Sequence, residues 1–385
     1  MFKAFRLLVF ILLLFFFATK SGFAVYDPFS KANNYLGIHI LFTSELEKAS
    51  ELLNSSGGDW GYVTIPIQIG DRDIDKWQAF MNNAYDKHLI PIIRLSTEAD
   101  YMNTGFWRKP TEADVLDFAN FLNSLYWPTK NRYVILFNEV NRYDEWGGDN
   151  PDPEEYASLV NYAIDVFKSK NTDFFIILGG FDNASPNDGV KYLDNFIYLT
   201  RMAKKDSSLF NKIDGFASHS YPNPDFLQSP TVTGQESVAT YRFEQKLVNS
   251  YTSAPKPFFI TETGWNGAKL SEGQIASYFK LALDDVWSKD LNSIVAITPF
   301  LLESQNGAFD KFTFTKSGTL TQYGKTYQSY PKTKGIPELN PPPPPLKKKE
   351  MVLGIQDFKG KFKNLLIVPQ FPSVLKFYFK SILGL

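Results

Sequence analysis

The chain has 385 residues, 44% of them hydrophobic and 16% aromatic, with no cysteine and a net charge of −1. This composition excludes an intrinsically disordered chain, a disulfide framework and a thiolate nucleophile or metal site. Three positive charges before residue 25 and an excess of six after residue 340 leave −10 for residues 25–340. An acidic body argues against a nucleic-acid partner and fits a neutral or cationic substrate.

The first element is a predicted secretory signal over residues 1–24. Two basic residues precede an apolar stretch over residues 7–18, and small residues lead up to Ala24, the pattern that signal peptidase cleaves. The apolar stretch is short for a membrane span, so a retained anchor is the less favoured alternative. We therefore expect a secreted or cell-surface protein.

Eight strand-like runs alternate with helix-like stretches. The predicted strands are Tyr35–Leu41, Gly61–Ile67, Ile90–Leu95, Tyr133–Asn138, Phe174–Leu178, Ile213–Ser218, Pro257–Thr261 and Ser293–Pro299. The predicted helices include Ser44–Leu53, Asp73–Lys87, Thr111–Leu125, Pro153–Lys168 and Ser271–Ser288, with Ser44 and Thr111 as N-caps. Such regular alternation predicts an α/β fold of the (β/α)8 TIM barrel type. A doubly wound open sheet is the alternative, but the chain lacks its Gly-rich phosphate loop.

The composition changes near residue 335, where we expect the folded domain (25–335) to end. Five consecutive prolines at 341–345 predict a stiff linker over residues 336–350. The tail over residues 351–385 is rich in Phe, Leu, Ile and Lys, a composition that favours contact with a membrane or the cell envelope. A disordered extension without a partner is the alternative.

Two glutamates follow apolar, buried-type strands. Glu139 comes directly after Tyr133–Asn138, and Glu262 directly after Pro257–Thr261. A carboxylate in this position is costly unless it leaves the core, and at the C-terminal mouth of a barrel it enters a cleft. Two carboxylates at one mouth suggest glycoside hydrolysis.

Asn138-Glu139 after strand four and Glu262 after strand seven resemble the signature of clan A glycoside hydrolases, which are retaining (β/α)8 enzymes. The resemblance covers residues 33–330 and is strongest to families 5 and 39, including bacterial exopolysaccharide hydrolases. It implies that Glu139 is the acid/base, that Glu262 is the nucleophile and that Asn138 binds the sugar 2-hydroxyl. Ion-paired carboxylates and an asparagine that closes a strand are the structural alternatives.

Strand six ends in a motif similar to the His-x-Tyr pattern of family 5 enzymes. We expect Tyr221 to donate to Glu262, and His219 to contact the substrate or the acid/base. Arg94 is a charge within a buried-type strand, so it needs a partner, and a catalytic carboxylate is the expected one. Ordinary mouth-lining roles, or a structural salt bridge for Arg94, are the alternatives.

Further substrate contacts are expected from four residues. Trp265 and Trp146 follow the two glutamates and are predicted sugar platforms, with core packing as the alternative. His39 ends strand one. Clan members often end strand eight with a tryptophan, for which Phe300 is the expected substitute.

The sequence predicts neither a cofactor nor a metal site. The acidic loop with Asp144, Asp149, Asp152 and Glu154 is more typical of a solvated loop than of a calcium site. We therefore expect a monomeric, exported, retaining glycoside hydrolase acting on a β-linked polysaccharide or oligosaccharide. A non-catalytic carbohydrate-binding or surface-attachment protein and a transglycosylase are the alternatives.

Overall fold

Eight parallel strands form one sheet that closes into a barrel. The computed structural model describes residues 25–100, 105–304 and 307–343. The strands are β1 Gly37–His39, β2 Gly61–Gln68, β3 Leu89–Ser96, β4 Arg132–Leu136, β5 Phe174–Leu178, β6 Gly215–His219, β7 Phe258–Glu262 and β8 Ile294–Ile297. Neighbours pair in chain order, and a parallel bridge between Leu36 and Ile297 joins the first strand to the last. The predicted (β/α)8 barrel is confirmed.

Helices pack around the outside of the sheet. They are α1 Leu46–Leu53, α2 Ile74–Asp86, α3 Glu112–Ser124, α4 Pro153–Lys170, α5 Asn195–Lys205, α6 Thr240–Asn249, α7 Glu272–Leu281 and α8 Gln322–Ser329. Shorter helical turns occur at Thr43–Glu45, Leu209–Lys212, Trp287–Asp290 and Asp310–Phe312, and a π-helical turn at Ala282–Val286 extends α7. Two-residue strands form hairpins between Ala99–Asp100 and Phe106–Trp107, and between Thr315–Lys316 and Thr319–Leu320.

The strands are apolar on both faces because both faces are buried. In β4, Tyr133 and Ile135 pack inside the barrel, whereas Val134 and Leu136 pack against the helices. All five residues of β5 are buried. This double burial explains why the strands read as continuous apolar runs rather than as alternating patterns.

One of the two predicted helix caps is confirmed. The Thr111 hydroxyl accepts a hydrogen bond from the Asp114 backbone N–H, and Asp114 accepts one from the Thr111 N–H, a capping box. The prediction for Ser44 is wrong, since Ser44 lies inside the turn Thr43–Glu45 that precedes α1. The buried carboxylate of Glu45 satisfies two backbone N–H groups there instead.

The segment after α8 runs along the end of the barrel opposite the mouth. Ile336 donates its backbone N–H to Ala32, and Asn340 donates to Pro128. The Tyr126 hydroxyl donates to the carbonyl of Pro341. These contacts attach the chain to the barrel six residues beyond the boundary predicted at 335.

The predicted signal at 1–24 and the tail at 351–385 lie outside the described residues. Within the ranges that are described, no helix has the length and apolar character needed to cross a bilayer.

Candidate active site

The functional candidates meet at the C-terminal ends of the strands. Glu262 is the last residue of β7, His219 is the last of β6, and Glu139 follows β4 by three residues. They surround a cleft of about 320 Å³ whose lining includes Glu139, Glu262, Arg94, Asn138 and Tyr221. This is the end of a TIM barrel at which active sites form.

Glu262 is almost completely buried and is held by donors on both oxygens. Arg94 Nη1 donates to Oε1, and the Tyr221 hydroxyl donates to Oε2 at 3.0 Å. Burial alone would raise the pKa of Glu262, but the charges of His219 and Arg94 outweigh it and lower the pKa to about 2. Glu262 is therefore an anion at neutral pH, as a nucleophile must be.

His39 lies beneath Glu262 rather than in contact with the cleft. Its side chain is fully buried, and its Nε2 lies 3.8 Å from Glu262 Oε1. Burial and the charge of Arg94 lower the pKa of His39 to about 3, so the ring is neutral. The predicted substrate contact for His39 is wrong, because a side chain with no exposed surface cannot touch a sugar. Its ring packs edge-on against Phe300, with centroids 5.0 Å apart.

Glu139 sits on an unusual stretch of backbone. Its φ is +36°, and that of Phe137 is +65°. A left-handed conformation costs a non-glycine residue about 1–3 kcal/mol and concentrates at functional sites. The Glu139 backbone N–H donates to the Gly180 carbonyl at 2.9 Å, which helps to hold this conformation.

The Glu139 carboxylate is oriented by two basic side chains. His219 Nδ1 lies 2.8 Å from Oε1, and Arg142 Nη1 lies 3.4 Å from Oε2. His219 is buried against the backbone of Gly180, where an added Cβ would lie 2.3 Å from its ring. Of the two contacts predicted for His219, the structure shows the one to Glu139.

The two carboxylates are close together. One oxygen of Glu139, one ring nitrogen of His219 and one oxygen of Glu262 all lie within 4.8 Å of one another. Carboxyl groups are about 5–5.5 Å apart in retaining glycosidases and about 6.5–9.5 Å apart in inverting ones. Nearest oxygens no more than 4.8 Å apart allow the shorter of these two separations.

The same three atoms have the geometry of a donor set for a metal ion, which the sequence did not predict. Burial opposes protonation of His219, but the charges of Glu262 and Glu139 prevail and raise its pKa. The two carboxylates thus favour the protonated form of the ring, in which neither nitrogen is free to bind a metal ion.

Asn138 lies between Arg94, which binds Glu262, and a third carboxyl group, that of Glu145. Its Oδ1 accepts from Arg94 Nη1 at 2.8 Å, and its Nδ2 donates to Glu145 Oε1 at 3.0 Å. Burial, together with the charges of Asp144 and Glu139, raises the pKa of Glu145 to about 8. Glu145 is not among the residues expected at the site from the sequence. Its one available signal was its place in the loop that follows Glu139.

The four acidic residues of the possible calcium site each bind a different part of the protein. Asp144 binds Arg142 through both oxygens, at 3.0 and 2.8 Å. Asp152 caps α4. Asp149 pairs with Lys109 at 2.9 Å, and Glu154 pairs with Arg201 at 2.6 Å. Each carboxylate therefore has a local structural role.

Neither predicted tryptophan platform fits the structure. Trp265 is 2% exposed, donates its indole N–H to the Gln228 carbonyl, and packs against Phe279 at 4.8 Å. Trp146 is fully buried against Tyr156. An indole without an exposed face cannot stack on a sugar, so both predictions are wrong.

Other aromatic side chains line the cleft. Phe300 does so, in the position predicted for a substitute of the strand-eight tryptophan, and Trp107, Tyr221, Phe226, Phe309 and Phe312 do so as well. Phe226 and Phe309 lie in irregular loops, Trp107 in a two-residue strand and Phe312 in a short helical turn. None of these has the pattern of a barrel strand end, so no sequence signal indicated them.

Comparisons with known proteins agree with this geometry. The family described as "Glycosyl hydrolase catalytic core" matches residues 72–327. Comparison with curated proteins gave no match.

Similar solved structures are TIM-barrel glycosidases of low sequence identity. A family 39 glycoside hydrolase from Bacteroides cellulosilyticus WH2 has 15% identity and a TM-score of 0.54, with 80% of this chain and 65% of that chain covered. A monomeric β-xylosidase from Caulobacter crescentus CB15 has 12% identity and a TM-score of 0.56, with 78% and 69% covered. A Thermomonospora fusca β-mannanase has 13% identity and a TM-score of 0.50, with 78% and 90% covered. This chain thus spans slightly less than two thirds of the Bacteroides protein.

Proposed function

The chain belongs to the glycosyl hydrolase catalytic-core family and is a glycoside hydrolase, and we propose that it cleaves a β-linked polysaccharide or oligosaccharide with retention of anomeric configuration. The observation that carries this proposal is the pair of carboxylates at the mouth, which has oxygens within 4.8 Å of one another. At that separation one carboxylate reaches the anomeric carbon while the other reaches the leaving oxygen.

The environments of the two glutamates support separate roles for them in this mechanism. Glu262 is anionic, buried and fixed by Arg94 and Tyr221, so it attacks the anomeric carbon and forms a glycosyl-enzyme. Glu139 protonates the departing oxygen and afterwards takes a proton from water. Because His219 lies beside both carboxylates, it holds Glu139 in position through both steps.

Asn138 is placed to bind the substrate beside Glu262. Arg94 and Glu145 fix both ends of its amide, which leaves one N–H for a sugar hydroxyl. A hydrogen bond to the 2-hydroxyl that strengthens in the transition state would accelerate the reaction.

Linkage, location and monomeric state are proposed on separate observations. The β-linkage follows the structures described as β-xylosidase and β-mannanase. Export follows the apolar stretch at residues 7–18 behind two basic residues. Action as a monomer follows the Caulobacter enzyme, which is described as monomeric.

Product stereochemistry tests the proposal. The full chain is incubated with a panel of β-linked glucans, xylans, mannans and polysaccharides that contain glucuronic acid, and the first product anomer is followed by proton NMR. We expect the β-anomer to appear first and then to mutarotate. Initial formation of the α-anomer would contradict retention, and an absence of hydrolysis across the panel would contradict the proposed substrate class.

A further inference from the structure

A lysine occupies an aromatic corner of the substrate cleft. Lys311 lies in the loop after β8 and lines the cleft with Phe226 and Phe312. Its Nζ is 5.0 Å from the centroid of the Phe226 ring and 5.1 Å from that of Phe312. The side chain is half-buried, so the ammonium group is only partly hydrated.

The other cations of the cleft are already neutralised by carboxylates. Arg94 is paired with Glu262. Arg142 is paired with Asp144 at 2.8 Å and contacts Asp182 at 3.3 Å. Arg142 is also shared with Glu139 at 3.4 Å, so neither arginine offers a free positive charge to a substrate.

Lys311 lacks such a partner. Within the part of the chain that the structure describes, no carboxylate lies within 4.0 Å of its Nζ. Asp225 attracts it electrostatically but is bonded to Lys269 at 2.9 Å. Burial lowers the pKa of Lys311, as expected for a cation that has lost hydration without gaining a counterion.

An anionic group on the substrate would supply the missing counterion. A partly desolvated ammonium group binds a carboxylate more strongly than a solvated one does. The phenyl rings beside it offer apolar surface to the body of a sugar.

We propose that the β6 to β8 side of the cleft binds an acidic sugar of the substrate, a uronic acid whose carboxylate pairs with Lys311. The inference rests on the proposed function, and it identifies the substrate class more closely than the barrel does. It also replaces the expectation, based on the overall charge of the protein, that the substrate is neutral or cationic.

Binding of matched oligosaccharides tests the inference. The probes are β-linked oligosaccharides containing glucuronic acid, their carboxyl-reduced counterparts and a sulfated analogue, titrated by calorimetry into the full-length Glu139→Gln variant to limit turnover. We expect the carboxylated probe to bind about tenfold more tightly than the reduced one. Adding Lys311→Met should bring this ratio to about one, and Lys311→Arg should preserve it.

Lys316→Met is the matched control. Lys316 lies on the same segment but is exposed and paired with Glu272, so its loss should leave the tenfold preference intact. Equal binding of both probes, binding of neither, or a preference unaffected by Lys311→Met would overturn the inference. Tighter binding of the sulfated probe would overturn the assignment to a uronic acid. Because the readout is binding, its failure is distinct from a failure of retention in the stereochemical test.

Discussion

Arg94 on the third strand donates to the carboxylate of Glu262 at the end of the seventh strand, across the mouth of the barrel. The same nitrogen donates to Asn138. One cation therefore orients both the Glu262 carboxylate and the Asn138 amide, and together with His219 it lowers the pKa of Glu262. The charge of Arg94 is tolerated inside a buried strand because it is paired with the carboxylate of Glu262.

Replacing Arg94 should shift the pH dependence of catalysis. In Arg94→Met the pKa of Glu262 should rise from its value of about 2, because a nearby opposite charge lowers a carboxyl pKa by about 1–3 units. The acidic limb of the profile of kcat/KM against pH should therefore move to higher pH. Arg72→Met is the control, since Arg72 pairs with Asp117 outside the cleft. An unmoved acidic limb in Arg94→Met would contradict this role.

Removing one hydroxyl should isolate the contribution of Tyr221. Tyr221→Phe loses the hydrogen bond to Glu262 at 3.0 Å. A hydrogen bond to a charged group is worth about 1.5–3 kcal/mol, so kcat should fall about 10- to 100-fold. Tyr62→Phe loses a hydrogen bond to Asn33 away from the cleft and should keep full activity. Equal kcat values for wild type and Tyr221→Phe would count against the proposed support of Glu262.

Glu145 should make the protein less stable as the pH rises. Its pKa is raised from 4.5 to about 8 in the fold, so between these values the native state holds a proton that the unfolded state has released. The free energy of unfolding should then fall by at most about 1.4 kcal/mol per pH unit over this window. Below about pH 4.5 the contribution is fully present, and above about pH 8 it is lost.

Urea unfolding from about pH 5 to pH 8 measures this effect. Glu145→Gln should flatten the fall seen in the wild type. Glu154→Gln should not, because Arg201 lowers the pKa of Glu154 and keeps it ionised throughout this range. A wild-type slope unchanged by Glu145→Gln would refute the assignment.

Trp265 should behave as a core residue. Trp265→Ala removes a buried indole packed on Phe279, which typically costs about 3–5 kcal/mol of stability. Trp107→Ala, in the cleft, should cost less stability and should raise KM instead. Thermal unfolding and steady-state kinetics separate these outcomes. A stable Trp265→Ala variant with a raised KM would restore the platform role.

The barrel and the positions of the two glutamates could be predicted from the sequence because both depend on local patterns. A parallel strand covered on both faces must be a continuous apolar run, and Phe174–Leu178 was predicted with its observed bounds. A carboxylate at the end of such a run can only emerge at the mouth, which located Glu262.

The lining of the cleft could not be predicted in the same way. Glu145, Lys311 and Phe226 lie in loops whose course is set by tertiary contacts rather than by periodicity. The predicted position of the Trp265 side chain in the cleft is wrong for a related reason. Its distance from Glu262 along the chain does not show whether the side chain turns toward the cleft or toward α7, and it packs on α7.

Trapping the glycosyl-enzyme tests the central claim most directly. The protein is incubated with 2,4-dinitrophenyl 2-deoxy-2-fluoro-β-glycosides of glucose, xylose and mannose, which form the covalent intermediate faster than they release it. Peptide mass spectrometry then locates the label. The proposed mechanism predicts a single adduct on Glu262 that is absent from Glu262→Gln. A label on Glu139, or inactivation without any adduct on Glu262, would contradict it.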